Sequence, residues 1–185
     1  MRIIQPRIYL ASQSPRRREL LKQIGVNFEM LLLREDPHRG VDIDEAPLAV
    51  EQPEDYVQRV CKEKALAGWG SLRYRSLPPF PVLAADTTVT VDGMILGKPE
   101  NSKQAAAMLR QLSGREHRVL SAVAIAMNEH IEVALSISTV RFAALSEERI
   151  HRYLLSREYM DKAGGYAIQG IAGAFVEHLS GSYSG

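Results

Sequence analysis

Three consecutive arginines, Arg16, Arg17 and Arg18, follow Pro15 at the junction between an apolar, strand-patterned run (residues 8–11) and a helix-patterned run (residues 19–24). The junction reads as a strand that feeds a helix through a short Ser/Pro turn. Pro15 suits the first helical position and Ser14 or Ser12 suits the cap, which leaves the arginines in the first turn, beside unpaired N–H groups and the positive end of the helix dipole. Like charges there cost stability unless an anion lies among them. Backbone N–H groups, hydroxyls and guanidinium forks all bind phosphate oxygens, so the junction reads as a phosphate site; the competing reading is a solvated basic turn.

Composition narrows the classes. A chain of 185 residues is one domain's worth or slightly more, with 45% hydrophobic and 24% charged residues, the balance of an ordinary globular protein. A net charge of +1 argues against a broadly basic nucleic-acid binder, so any anion site is local. Cys61 is the sole cysteine, which excludes an internal disulfide and any multi-cysteine metal site and fits a reducing compartment. The N-terminus has no apolar h-region, and no run approaches the roughly 18 apolar residues of a membrane span. The expectation is a cytoplasmic protein with neither nucleic acid nor membrane as partner.

Strand and helix signals alternate along the chain. After the strand at 8–11, a helix is expected from Pro15 to about Ile24, with Leu20, Leu21 and Ile24 facing inward and Gly25 ending it. Residues 34–52 hold acids, prolines and a glycine without clear period and read as a loop or an irregular pairing strand. Pro53 opens a second helix in which Val57, Val60, Cys61, Lys64 and Ala65 share one face, so Lys64 stands on an apolar side. Residues 68–81 read as a linker. A short buried strand at 81–85 is expected to end at Asp86, and Asp92-Gly93 supplies a hairpin turn between 87–91 and 94–98. That register places Val91 opposite Met94 and Thr87 opposite Lys98, bringing Lys98 back toward Asp86 by way of a bend at residues 97–99. A helix at 101–112 closes at Ser113-Gly114, two long strands (119–127 and 131–142) turn at Asn128-Glu129, and Ser146 caps a helix to about Ser156. Residues 164–173 read as a glycine-rich loop or kinked strand, and 174–179 as a last strand.

Simpler motifs fail. Gly93-Met94-Ile95-Leu96-Gly97-Lys98-Pro99 has one spacer too few for a phosphate-binding P-loop, and Pro replaces its Ser or Thr. The glycines of 164–173 miss the dinucleotide fingerprint. His38, His117, His130, His151 and His178 show no metal-ligand spacing and read as surface or packing residues.

Taken in order, Ile8-Tyr9-Leu10-Ala11-Ser12-Gln13-Ser14-Pro15-Arg16-Arg17, the acids near Asp44-Glu45, Lys62-Glu63-Lys64-Ala65, Ala85-Asp86-Thr87, Gly97-Lys98-Pro99 and Gly165-Tyr166-Ala167-Ile168-Gln169-Gly170 resemble the Maf family of nucleoside triphosphate pyrophosphatases. The resemblance implies a Maf/Ham1-like α/β fold: a mixed central sheet flanked by helices, in two lobes with a cleft between them. Residues 1–185 then form a single Maf-like domain, which stops at Gly185 where family members usually continue into a C-terminal helix. It also implies hydrolysis between the α and β phosphates with a divalent cation, Mg or Mn, and a homodimer as the assembly. Ala85-Asp86-Thr87 and Tyr166-Ala167-Ile168-Gln169-Gly170 look more like the branch acting on dTTP and UTP than the branch acting on methylated GTP, where a tryptophan between the proline and the arginines and Asp-Gln in place of Asp86-Thr87 are expected.

Carried over by position, the family's roles put Arg17, Lys64 and Lys98 on phosphate oxygens and the departing pyrophosphate, with Ser12 adding a hydroxyl. Glu45 and Asp86 hold the cation and orient the water, Asp86 taking its proton, while Arg16, Thr87 and Gln169 choose the base. Each has a bland rival. Lys64 could snorkel along the core, Lys98 could be a strand-end charge, Asp86 could cap a turn, and Gln169 could bond its own loop. Asp42 or Asp44 could replace Glu45 as ligand, and Arg18 reads as solvated. The same chemistry on another or modified nucleotide, and a nucleotide-binding regulator of cell division without turnover, are the alternative functions.

Overall fold

The computed structural model describes residues 7–34 and 42–185, so His38 and the first part of the expected loop at 34–52 lie outside the described residues. The chain divides into two compact units, one formed by the residues up to Asp86 with Ala122–Leu135, the other by Thr87–Ser121 with Ser136–Gly185. The sheet order is β2-β1-β3-β5-β6-β7, with β4 pairing β3 off this path. These strands are β1 (Arg7–Leu10), β2 (Asn27–Met30), β3 (Val82–Val91), β4 (Met94–Leu96), β5 (Glu116–Met127), β6 (His130–Phe142) and β7 (Val176–Ser180). The pairing is mixed: β1 runs parallel to β2 and β3, while β3–β4 and β6–β7 are antiparallel.

In the first unit, α1 (Pro15–Gln23) carries Pro15 at its start, and Gly25 at φ 72 supplies the left-handed residue just beyond its end. Leu21 is buried, but Ile24 is 71% exposed, contrary to the expected inward face, because the helix ends before it. The strand β2, not expected from the sequence, pairs β1 from Arg7↔Asn27 to Leu10↔Met30. Helix α2 (Pro53–Tyr74) buries Val57, Val60, Cys61 and Ala65 completely. Its last turns run through the stretch expected to be a linker. They do so because Gly68 lets the helix lie against the sheet: a Cβ there would stand 2.7 Å from Val82 Cγ1 and 3.4 Å from Ala11 Cβ and Leu31 Cδ2. Val82 is itself buried and has little freedom to retreat. Gly68→Ala is therefore expected to destabilise by about 1–2 kcal/mol despite its better helix propensity, measured by urea denaturation; a stabilised variant would refute the close approach.

Strand β3 does not end at Asp86 but continues to Val91. The turn forms as expected, with Asp92 at φ 52 and Gly93 at φ 76, the type I′ geometry that suits a two-residue hairpin, and Val91 does face Met94. Pairing stops at Val89↔Leu96, so the expected Thr87–Lys98 pair is not made. Helices α3 (Ser102–Leu112) and α4 (Glu147–Leu155) are capped by Asn101 and Ser146, whose side chains accept from the backbone N–H groups of Gln104 and Arg149. β5 begins at Glu116, three residues before the expected start.

The core of the second unit is aromatic. Phe142 lies edge-on to His117 (4.9 Å between centroids), Tyr166 (4.8 Å) and Phe175 (5.8 Å). His117 Nε2 and the Tyr166 hydroxyl share a buried 2.6 Å hydrogen bond. The glycine-rich segment is two short 3-10 turns, Ala163–Gly165 and Ile171–Phe175, rather than a strand. Gly164, at φ 66, donates its N–H to Gly97 O at 3.0 Å, fastening the segment before Lys98 to this turn.

Burial pushes the His117 imidazole down to about 4 from 6.5. Above its unfolded pKa both states are neutral; as pH falls through 6.5 toward 4 the unfolded state takes up the proton first, so stability is lost over that window. Between pH 7.5 and 5 this group alone is expected to remove about 2 kcal/mol. In His117→Gln the pH dependence over that range should be smaller by about that amount in denaturation experiments, and an unchanged slope would contradict the burial argument.

Candidate active site

The first unit gathers most of the sequence-expected residues. Asp86 is 9% exposed near the middle of β3, and Lys64 reaches it from the middle of α2, donating from Nζ to Oδ1 at 2.7 Å. The same ammonium meets Glu45 Oε1 at 2.9 Å. Lys64 thus bridges two carboxylates and does not snorkel to solvent. Burial disfavours its charge, but Asp86 and Glu45 more than offset this and hold its pKa above the ordinary lysine value.

Of the three neighbouring acids, Glu45 is the one that reaches Lys64. Asp42 accepts from the Arg34 backbone N–H at 2.8 Å and pairs with its guanidinium, while Asp44 accepts from the Ala46 N–H at 2.9 Å.

At the β1–α1 junction, Ser14 holds the cap position without a side-chain bond, and no acidic residue stands in the first turn of α1. Ser12, 9% exposed, accepts instead, from Ser14 N–H at 3.2 Å and from Arg17 Nη1 at 3.1 Å. Burial lowers the Arg17 pKa, opposed by the charge of Asp86 and more weakly by Cys61 and Glu45, which sets this guanidinium in the field of the same acidic cluster. Arg16 pairs with Glu19 at 3.2 Å, yet its Nε is buried with no hydrogen-bond partner among the described residues. The Cys61 thiol, raised to about 11 by burial and by Asp86, contacts Ala84 O and Ala122 O and is inert at neutral pH.

Thr87, Lys98 and Gln169 belong to the second unit and all three are exposed. Thr87 follows Asp86 on β3; Lys98 lies two residues past β4; Gln169 lies between the two 3-10 turns and donates to Tyr183 O at 3.0 Å, a partner outside its own loop.

Tyr56, Arg59 and Glu51 escaped the sequence reading. The Tyr56 hydroxyl donates to Glu45 O at 3.0 Å, and Arg59 pairs with Glu51 at 2.6 Å. The signal for Tyr56 and Arg59 was their placement with Glu63 along one stripe of α2, visible only once a loop is known to face it.

A family model described as Maf-like protein matches residues 7–185, nearly the whole chain. The chain belongs to the Maf family. A Nitrosomonas europaea relative named dTTP/UTP pyrophosphatase is 53% identical over 96% of this chain and 86% of its own length. A Ralstonia nicotianae relative of the same name is 54% identical over 97% of this chain and 86% of its own. The solved structure of the Staphylococcus aureus Ham1 protein shares the fold at 15% identity, with a TM-score of 0.50 over 74% of this Maf-family chain and 72% of that one.

Among the described residues no helix is long and apolar enough to cross a membrane. Nor does any group of three or more His, Cys, Asp or Glu among them form a ready metal cage. The donor set is two carboxylates, Glu45 and Asp86, already drawn to one cation. That set fits Mg²⁺ or Mn²⁺, which take one or two carboxylates and complete their shell with water and substrate phosphate.

Proposed function

We propose that this protein hydrolyses a pyrimidine nucleoside triphosphate, dTTP or UTP, to the monophosphate and pyrophosphate, with a divalent cation. The observation that carries the reading is the Glu45–Lys64–Asp86 triad with a half-buried Arg17 in the field of Asp86. The two relatives' names support the substrate class.

Arg17 and the Ser12 hydroxyl bind phosphate oxygens, relieving the uncompensated positive charge of the α1 start. Lys64 supplies the charge that stabilises the departing pyrophosphate, and Lys98 is assigned to the same task from the resemblance. Asp86 orients a water behind the α phosphorus and accepts its proton. Glu45 and Asp86 are the residues that would hold the cation. When bound, that ion lowers the water's pKa and neutralises phosphate charge. Lys64 Nζ bonds one oxygen of each carboxylate, Glu45 Oε1 and Asp86 Oδ1, and each carboxylate carries a second oxygen with which it would hold the ion beside the ammonium.

Arg16, Thr87 and Gln169 are assigned to the base, and the unpartnered Arg16 Nε is a donor left for a ligand acceptor. A cytoplasmic location and a homodimer complete the reading, the first supported by the lone buried Cys61, the second by the resemblance alone.

A panel of canonical and modified nucleoside triphosphates, assayed for pyrophosphate with and without Mg²⁺ or Mn²⁺, tests the proposal. dTTP and UTP should lead the ranking, and binding without pyrophosphate release would contradict it. Gln169→Ala should reorder that ranking by about tenfold while the best remaining substrate keeps most of its rate; an unchanged order would remove Gln169 from base selection.

A further inference from the structure

We propose that Arg59, with Tyr56 one turn before it on α2, is a positioning residue: it clamps the loop that carries Glu45 and so fixes where that carboxylate stands. The inference rests on the reading that Glu45 belongs to the active site.

The loop has little apolar anchorage. Leu48 is 59% exposed and Val50 is 94% exposed, and Ala46, Pro47 and Ala49 are exposed too. Val50 also adopts φ 63, a left-handed conformation that a β-branched residue holds only under restraint. Polar contacts to α2 supply that restraint. Tyr56 donates to the carbonyl of Glu45 at 3.0 Å, and Arg59 Nη2 donates to the next carbonyl, that of Ala46, at 3.1 Å.

The two carbonyls that follow the Glu45 and Ala46 α-carbons are therefore both tied to the helix that bears Lys64, the partner of the Glu45 side chain. Arg59 also grips the far end of the loop with a two-point fork, Nε to Glu51 Oε1 at 2.6 Å and Nη2 to Glu51 Oε2 at 2.9 Å. Glu51 in turn accepts from Leu48 N–H at 3.0 Å. Stacking over the Tyr56 ring, 5.6 Å from its centroid, and a contact with Glu63 at 3.3 Å hold the guanidinium in its plane. The planar fork is the point: lysine would keep the charge, but its single nitrogen does not reproduce the two-point grip on Glu51 from Nε and Nη2.

Two readouts test the clamp, using Arg59→Gln and Arg59→Lys in the full chain. Amide hydrogen exchange over residues 45–51, measured without substrate, should accelerate about tenfold in both variants, with exchange in β1 and β3 unchanged. Hydrolysis of UTP should fall about 10- to 100-fold, mostly in kcat, and lysine should not restore it. In a Glu45→Gln background, Arg59→Gln should add less than about a twofold further loss, because both changes remove one function. Should Arg59→Gln not fold, Tyr56→Phe removes a single hydroxyl and should give the same pattern at about threefold amplitude. Unchanged exchange at 45–51, full rescue by lysine, or multiplicative losses in the double variant would each overturn the proposal. Absence of pyrophosphate release by the parent would instead overturn the assigned reaction, with the exchange result still deciding the clamp.

Discussion

Asp86→Asn is expected to lower kcat/KM for dTTP and UTP by about a thousandfold or more while leaving the fold intact. Asparagine preserves the shape of a side chain that is 9% exposed but removes the charge that holds Lys64 at 2.7 Å and the oxygen assigned to the water proton. Lys64 keeps Glu45 at 2.9 Å, so it is not stranded as a lone buried cation, the case that most destabilises a broken ion pair. The melting temperature should stay within about 5 °C of the parent. Near-normal turnover would remove Asp86 from the chemistry, and an unfolded variant would show its charge to be chiefly structural.

Lys64→Met carries the second large effect. Methionine fills the aliphatic volume on α2 but leaves Glu45 and Asp86 facing each other without a cation. Turnover should fall about a hundred- to a thousandfold, since the charge proposed to stabilise the leaving pyrophosphate is gone. Binding of Mn²⁺ to the nucleotide-free protein, followed by titration calorimetry, should tighten about tenfold or more because the ammonium no longer competes for the carboxylates. Weaker metal binding in this variant would contradict the assignment of Glu45 and Asp86 as the ion's ligands.

The parts of this fold that were legible in the sequence are those fixed by local chemistry. Pro15 and Pro53 open helices, Asp92-Gly93 turns a hairpin, and Ser146 caps α4, each through backbone constraints carried by neighbouring residues. The parts that were not legible depend on distant contacts. β2 is a short edge strand with three of its four residues exposed, so it has no buried alternation to reveal it. Residues 68–81 read as a linker, yet α2 continues through Gly68 to Tyr74, where the missing side chain of Gly68 leaves room for Val82 beneath it. Asp86 looked like a strand end, but both neighbours on β3 continue the ladder.

The candidate site divides in the same way. Arg17, Lys64 and Asp86 could be named from motifs, whereas the choice of Glu45 over Asp42 and Asp44 required knowing which partners those acids already had. Arg59 could not have been found from spacing alone, because its acceptors in the loop are one backbone carbonyl and one glutamate that carry no motif.

The most direct test of the central claim, that opposite charges here surround the α–β junction of a triphosphate, is hydrolysis of UTP in ¹⁸O-labelled water followed by ³¹P NMR. The account predicts equal amounts of UMP and pyrophosphate, with the label on the UMP phosphate, as expected if the water assigned to Asp86 attacks the α phosphorus. Release of orthophosphate with UDP, or label in the pyrophosphate, would contradict it.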